Sequence, residues 1–175
     1  MDPLTDTHAP PVPAGSPASQ VTALYQGYAA GLVRLAMLML ADQQAAEDVV
    51  QEAFLGLYRR WGTLADPGKA LVYVRSSVLN GCRTVLRKRS RRLPSYLEPD
   101  AESAEAVALL GEEHREVLAA LRRLPTRQRE AVVLRHCLGL SEDEAAQAMK
   151  ISRGTVKSAS SRGIATLARM LKEDS

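Results

Sequence analysis

From Val21 onward, apolar residues recur every three or four positions in one run after another, and each run is closed by a proline, a glycine or a capping side chain. Such a pattern confines the chain to short amphipathic helices packed on one another. The first run, 21–40, sets Leu24, Tyr28, Leu32, Leu35 and Met39 on one face. Asp42 is expected to cap a second helix reaching Trp61, whose stripe is Ala46, Val49, Val50, Ala53, Phe54, Leu57 and Trp61. Two glycines and Asp66-Pro67 break the pattern between Gly62 and Gly68. A third helix, 69–92, buries Leu71, Val74, Val78, Cys82, Val85 and Leu86.

The pattern resumes over 106–124 and stops at Leu124-Pro125, because the residue before a proline disfavours helical geometry. Thr126 is expected to cap a helix over 127–137 that Gly139 ends. Ser141, with Glu144 three residues later, forms a capping box for 142–149. Ser152 caps the last helix, Arg153 to Leu171, whose packed face is read as Val156, Ile164, Leu167 and Leu171. With aromatics at only 4% and abundant Ala and Leu, an all-β fold is excluded and an all-α fold expected.

Residues 1–20 hold five of the nine prolines and few large apolar side chains, so they read as a disordered leader. Pro94, Pro99 and the acids from Asp100 to Glu105 read as an acidic linker over 94–105. The architecture is therefore two small helical domains, 21–93 and 106–172, joined by a flexible linker. Domains of this size bury only about 60% of their unfolded surface, so a partner is expected to fix their relative orientation. No apolar stretch reaches the roughly 18 residues of a membrane span, and no basic-then-apolar leader is present, so a cytoplasmic protein without membrane contact is expected.

The net charge of +3 conceals strong sorting. Lys69, Arg75, Arg83, Arg87, Lys88, Arg89, Arg91 and Arg92 lie in one stretch without an acid, and Lys150, Arg153, Lys157, Arg162, Arg169 and Lys172 in another. Two basic surfaces fit a polyanion touched at two places. The helices 142–149 and 153–171, three residues apart, form a helix-turn-helix whose second, basic helix would enter a major groove. There Arg153, Thr155, Lys157, Ser158, Ser161 and Arg162 occupy the reading positions, arginine suiting guanine through two hydrogen bonds. All seven aromatics lie at or before Tyr96, and aromatics beside a basic helix suit unstacked bases. Phe54 and Tyr28 belong to apolar stripes, leaving Trp61, Tyr73 and Tyr58 as ring candidates. Asp48, Gln51, Glu52 and Leu55 share the outer face of the second helix.

The segment Asp42-Gln-Gln-Ala-Ala-Glu-Asp-Val-Val-Gln-Glu-Ala-Phe-Leu-Gly-Leu-Tyr resembles region two of extracytoplasmic-function RNA polymerase sigma factors. Leu140-Ser-Glu-Asp-Glu-Ala-Ala-Gln-Ala-Met and Ser152-Arg-Gly-Thr-Val-Lys-Ser resemble region four of the same family. The runs Asn80-Gly-Cys-Arg and Ser161-Arg-Gly are similar to the SigE-type subgroup. The resemblance covers roughly Val21 to Leu171 and implies a non-catalytic, dissociable polymerase subunit that recognises and opens promoters. It implies that Asp48, Gln51, Glu52 and Leu55 dock on the clamp helices of the largest catalytic subunit, and that the flap of the second-largest subunit is a further contact. It places Trp61, Asp66, Lys69, Tyr73, Asn80, Arg83, Arg87 and Lys88 against the minus-ten element, and Arg153, Thr155, Lys157, Ser158, Ser161 and Arg162 against the minus-thirty-five element. An anti-sigma protein is a further implied partner; no cofactor is.

The chain departs from the family at Lys150, where a turn glycine is common, at Tyr73, where tryptophan is common, and at Ala159-Ser160, where arginine and leucine are usual. Two other readings remain open from the residues alone. A helix-turn-helix repressor dimerising through its N-terminal helices would explain the second half and the basic balance. A metal enzyme would have to draw on His114, His136, Cys82 and Cys137, none of which pair at ligand spacing.

Overall fold

The computed structural model describes residues 15–92 and 112–173, all of them in helices or short connections. The acidic linker and most of the leader lie outside the described residues. The N-terminal half contains α1 (Pro17–Leu40), α2 (Gln43–Arg60) and α3 (Ala70–Arg91), with short 3₁₀ turns at Trp61–Thr63 and Pro67–Lys69. The C-terminal half contains α4 (Glu112–Arg123), α5 (Thr126–Val132) running into a π-helical turn at Val133–Cys137, α6 (Glu142–Met149) and α7 (Arg153–Glu173).

Helix α1 begins four residues before the boundary read from the sequence. Ser16 caps it by accepting from the Ser19 amide at 3.3 Å, and Pro17 occupies the first turn, where its missing N–H costs nothing. By length and hydropathy α1 resembles a membrane span. Its Val21, Leu32, Leu35, Ala36, Met39 and Leu40 are instead buried within the protein, where α1 packs on α2 and α3. It ends at Ala41 in the left-handed region (φ 51°), and Asp42 at once caps α2 by accepting from the Ala45 amide at 2.9 Å. Arg89, from the basic end of α3, fastens this corner, donating to Leu40 O and to Asp42 Oδ2, each at 2.7 Å. Leu35, Met39, Leu57, Val74, Val78 and Leu79 fill the core beneath. Gly81 lets α3 approach α2 closely, since a Cβ there would stand 2.7 Å from Val49 Cγ1.

In the C-terminal half the capping box at Ser141 and Glu144 is complete, and Ser152 accepts from the Thr155 amide at 3.1 Å to open α7. Thr126 makes no side-chain cap; it is the first residue of α5, which follows Pro125. Gly139 takes the left-handed conformation expected of a terminator (φ 69°), and Lys150 takes one too (φ 55°), closing the turn without a glycine. The packed face of α7 is Val156, Ser160, Gly163 and Leu167, with Ile164 exposed. Small residues explain the rotation: a Cβ on Gly163 would lie 2.5 Å from Val132 Cγ2, so only glycine admits α5 this close.

The halves are clasped directly. Ser76 donates to Ala148 O at 2.7 Å in a buried contact between α3 and α6. Arg83 makes a two-pronged contact with Glu130, Nε to Oε1 at 2.5 Å and NH2 to Oε2 at 2.9 Å, and Glu130 is fully buried. Arg129, also buried, donates to Met39 O at 2.7 Å, to Arg122 O at 2.5 Å and to Leu124 O at 3.2 Å. Desolvation lowers the pKa of Arg129, with the nearby Arg122 charge adding to it. The guanidinium stays charged because its ordinary value is so high. One arginine thereby satisfies orphan carbonyls at the ends of both α1 and α4. A protein seam thus orients the halves without a partner.

Candidate nucleic-acid and polymerase interface

Three surfaces bring the predicted residues together. On α7, Arg153, Thr155, Lys157, Ser158, Ser161 and Arg162 are all exposed along the helix that Ser152 opens. The Thr155 hydroxyl is tied to Ser152 Oγ at 2.7 Å, so it is a fixture of the cap as well as a surface group. Behind this face His136 Nε2 meets Ser160 Oγ at 3.1 Å, which assigns that histidine to packing α7. The positive side chains sit on the outer turns while the small residues face inward, as a helix entering a groove requires.

The second surface follows α3. Asp66 is exposed, but its Oδ1 accepts from the Gly68 amide at 2.9 Å, so it shapes the Pro67–Lys69 turn that presents Lys69. Tyr73 lies half-buried over Gly56, whose Cβ would stand 3.5 Å from the phenol oxygen. Asn80 Oδ1 accepts from Arg83 NH1 at 2.8 Å. Arg87 and Lys88 are exposed further along. Two of the predicted residues are placed differently. Trp61 is only 8% exposed and packs in the core, because the turn after α2 folds it under the bundle; its face is not offered to a base. Arg83 is spent on Glu130, a partner 47 positions away.

The third surface is the outer side of α2. Asp48, Gln51, Glu52 and Leu55 are exposed there together, Asp48 accepting from Gln44 at 2.9 Å and Glu52 from Arg59 at 3.3 Å. They border an apolar groove lined by Val21, Tyr25, Gln51, Phe54, Leu55 and Tyr58. Leu55, Tyr25 and Tyr58 are 43%, 49% and 53% exposed, a cluster of large apolar side chains of the kind that marks a protein contact. Tyr25 is held by an edge-on contact with Phe54, centroids 5.0 Å apart. Its membership escaped the sequence reading because Tyr25 sits on the flank of its own helical stripe, and only the crossing of α1 over α2 brings it beside Leu55.

The thiols belong to none of these surfaces. Cys82 lies in the core, where burial pushes its pKa up to about 12, and Cys137 ends the π-helical turn. The side chain of His114 falls outside the described residues.

Family models match along both halves, "Sigma-70 region 2" over residues 24–92 and "Sigma-70, region 4" over residues 114–167. The RNA polymerase sigma-E factor of Streptomyces avermitilis is 33% identical over 145 residues, covering 81% of this chain and 79% of that protein. The chain belongs to the sigma-70 family of RNA polymerase sigma factors. The extracytoplasmic-function (ECF) sigma factor SigM of Mycobacterium tuberculosis is 32% identical over 148 residues, covering 85% and 75% of the two chains. Among solved structures, CnrH in complex with the cytosolic domain of CnrY superposes with a TM-score of 0.72 at 25% identity, over 90% and 91% of the chains. The fold also matches the sigma factor RpoE of Bartonella quintana, solved with the anti-sigma factor NepR, with a TM-score of 0.65 at 20% identity over 88% and 98%.

As an alternative sigma factor, this protein binds core RNA polymerase and directs promoter recognition, melting and transcription initiation. Region two corresponds to α1 through α3 and region four to α4 through α7.

Proposed function

We propose that the three surfaces divide the work of initiation as their chemistry suggests. The groove on α2, with Asp48, Gln51, Glu52 and Leu55 plus Tyr25 and Tyr58, docks on the clamp helices of core polymerase; its exposed apolar cluster within an acidic rim supports this. The turn around Asp66 and Lys69, with Tyr73 and Asn80, takes an extruded base of the minus-ten element, while Arg87 and Lys88 hold phosphates. Extrusion costs a few kcal/mol, offset by contacts with these side chains and those charges. No bond is made or broken by the sigma factor, so melting is a shift of population toward the strand-separated promoter rather than catalysis. Recognition helix α7 reads the minus-thirty-five element as duplex through Arg153, Thr155, Lys157, Ser158, Ser161 and Arg162, and the flap of the second-largest subunit steadies region four. Such a subunit works beside polymerase in the cytoplasm.

Geometry adds a requirement. Elements centred about 25 base pairs apart are separated by roughly 85 Å of duplex, whereas a compact unit of about 150 residues is only some 40 Å across. The clasped halves cannot meet both elements, and Arg83 cannot reach a phosphate while it holds Glu130. Engagement with polymerase therefore parts the seam. The complexes of CnrH with the cytosolic domain of CnrY and of RpoE with the anti-sigma factor NepR support an anti-sigma protein as a partner for this chain as well.

The observation that carries the reading is the presence, in order, of both family regions on a fold that exposes an apolar-acidic face in one and a basic recognition helix in the other. Run-off transcription tests it: core polymerase from a related bacterium is supplied with a genomic promoter library, with and without this protein. New starts sharing two upstream motifs are expected, and Leu55→Asp or Tyr58→Asp should abolish them without impairing duplex binding. Binding to duplex with neither core association nor new starts would favour a repressor.

A further inference from the structure

Arg153, the first residue of the recognition helix, does not project on its own. Its Nε donates to Glu142 Oε2 at 2.9 Å, and its NH1 stands 3.8 Å from Asp143 Oδ2. Both acids lie in the first turn of α6, the helix that positions α7. The arginine side chain is 66% exposed, while that of Glu142 is 24% exposed, so the pair points its cationic end outward and keeps its anionic end behind. The hydrogen bond from Arg153 holds the Glu142 carboxyl below the usual carboxylate range, with the charges of Arg153, Lys157 and Arg135 adding to the effect. The contact is therefore an ionised one at neutral pH.

A guanidinium is a rigid plane with five donors, one on Nε and four on the terminal nitrogens. Using Nε on Glu142 leaves the terminal nitrogens, of which NH1 is too far from Asp143 Oδ2 for a hydrogen bond, with donors for an end-on fork that matches the O6 and N7 acceptors of guanine. An acid at this place has no reason to be there for affinity, since a carboxylate beside a DNA backbone repels phosphates. Nor does it carry the helix cap, which Ser141 and Glu144 complete between them.

We infer that Glu142 is a specificity-positioning residue: it fixes the Arg153 fork toward one guanine of the minus-thirty-five duplex, giving up uniform affinity for discrimination at that base pair. This rests on the reading of α7 as the minus-thirty-five reader. It goes further by assigning a role to a residue that touches no base. Preorganising a long side chain removes the ordering cost that would otherwise fall on the specific complex alone. The signs of the two effects are opposite, which separates positioning from a plain change of surface charge.

The test uses holoenzyme reconstituted from core polymerase and the full chain, transcribing a promoter library whose upstream recognition window is fully randomised. Sequencing of the transcripts gives the base preference at each position. Arg153→Ala should flatten one guanine position, by about 5- to 100-fold in preference. Glu142→Ala should flatten that same position by a smaller factor, leave the others intact and raise binding to random-sequence duplex at low salt. In the Arg153→Ala background, Glu142→Ala should have no further effect on that preference. If Arg153→Ala flattens the position and Glu142→Ala does not, or if Glu142→Ala shifts all positions alike, the positioning role is overturned while α7 remains the reader. If Arg153→Ala flattens nothing although the wild-type protein shows a preferred motif, both the role of Glu142 and the assignment of Arg153 fall. If the wild-type protein yields no preferred motif, the region-four reading itself fails.

Discussion

Of the arginine–glutamate pairs in this molecule, one at the seam between its halves and one at the tip of its helix-turn-helix are given opposite characters by their surroundings. At the seam Arg83 grips a fully buried Glu130, and the pair joins α3 to α5. At the tip Arg153 and Glu142 meet in solvent, joining α7 to α6 across the turn. Removing one partner of a buried pair strands a charge where water cannot reach it, whereas an exposed pair exchanges readily for water, salt or a new partner. The seam pair is therefore built to hold the fold closed, whereas the tip pair directs one side chain and contributes little to the fold. The same chemistry serves as a clasp in one region and as an aiming device in the other.

The contrast can be broken most forcefully at the seam. Arg83→Ala leaves Glu130 with Arg127 at 3.4 Å as its remaining cationic partner. It should lower unfolding stability by about 3 to 5 kcal/mol in a urea titration. Replacing both partners together, Arg83→Met with Glu130→Met, should recover most of that loss, since the stranded charge is then absent. Ser76→Ala removes the donor to Ala148 O and should cost about 1 to 2 kcal/mol by the same titration. In the turn before α7, Lys150→Gly relieves a left-handed side-chain residue and should raise stability by about 0.5 to 1 kcal/mol, read as a higher melting temperature. Glu142→Gln should leave the melting temperature where it is, confirming that the tip contact serves recognition rather than folding.

Much of this was visible in the chain itself. Asp42, Ser141 with Glu144, Ser152 and Gly139 all act where local chemistry placed them, because a cap depends on residues only a few positions away. Periodicity puts Ile164 on the packed face because a period alone cannot register that Gly163 draws α5 inward and turns the larger side chain out. The start of α1 was hidden by the proline-rich composition around it, although Ser16-Pro17 is itself a start signal. The seam had a weaker trace: Arg129 and Glu130 stand immediately before the apolar run Ala131-Val-Val-Leu, where charges must be paired or pay a heavy desolvation cost. Nothing local says that their partners are Met39 and Arg83. Likewise the apolar groove joins Tyr25 to Leu55 and Tyr58 only through a helix crossing, so the sequence disclosed its acidic rim and not its centre.

The division of labour rests on a seam that closes in the free protein and opens on polymerase. A donor and acceptor dye on Cys137, which is exposed, and on a thiol introduced by Gln26→Cys would report the separation of the halves, Cys82 being buried and unreactive. Single-molecule energy transfer, measured on the free chain and on holoenzyme bound to a promoter, gives the decisive comparison. High transfer in the free chain, lost when promoter-bound holoenzyme forms and low from the outset in Arg83→Ala, is the predicted result. Equal, high transfer in the free chain and in a transcribing complex would contradict the account, because the clasped halves would then be the form that reads the promoter.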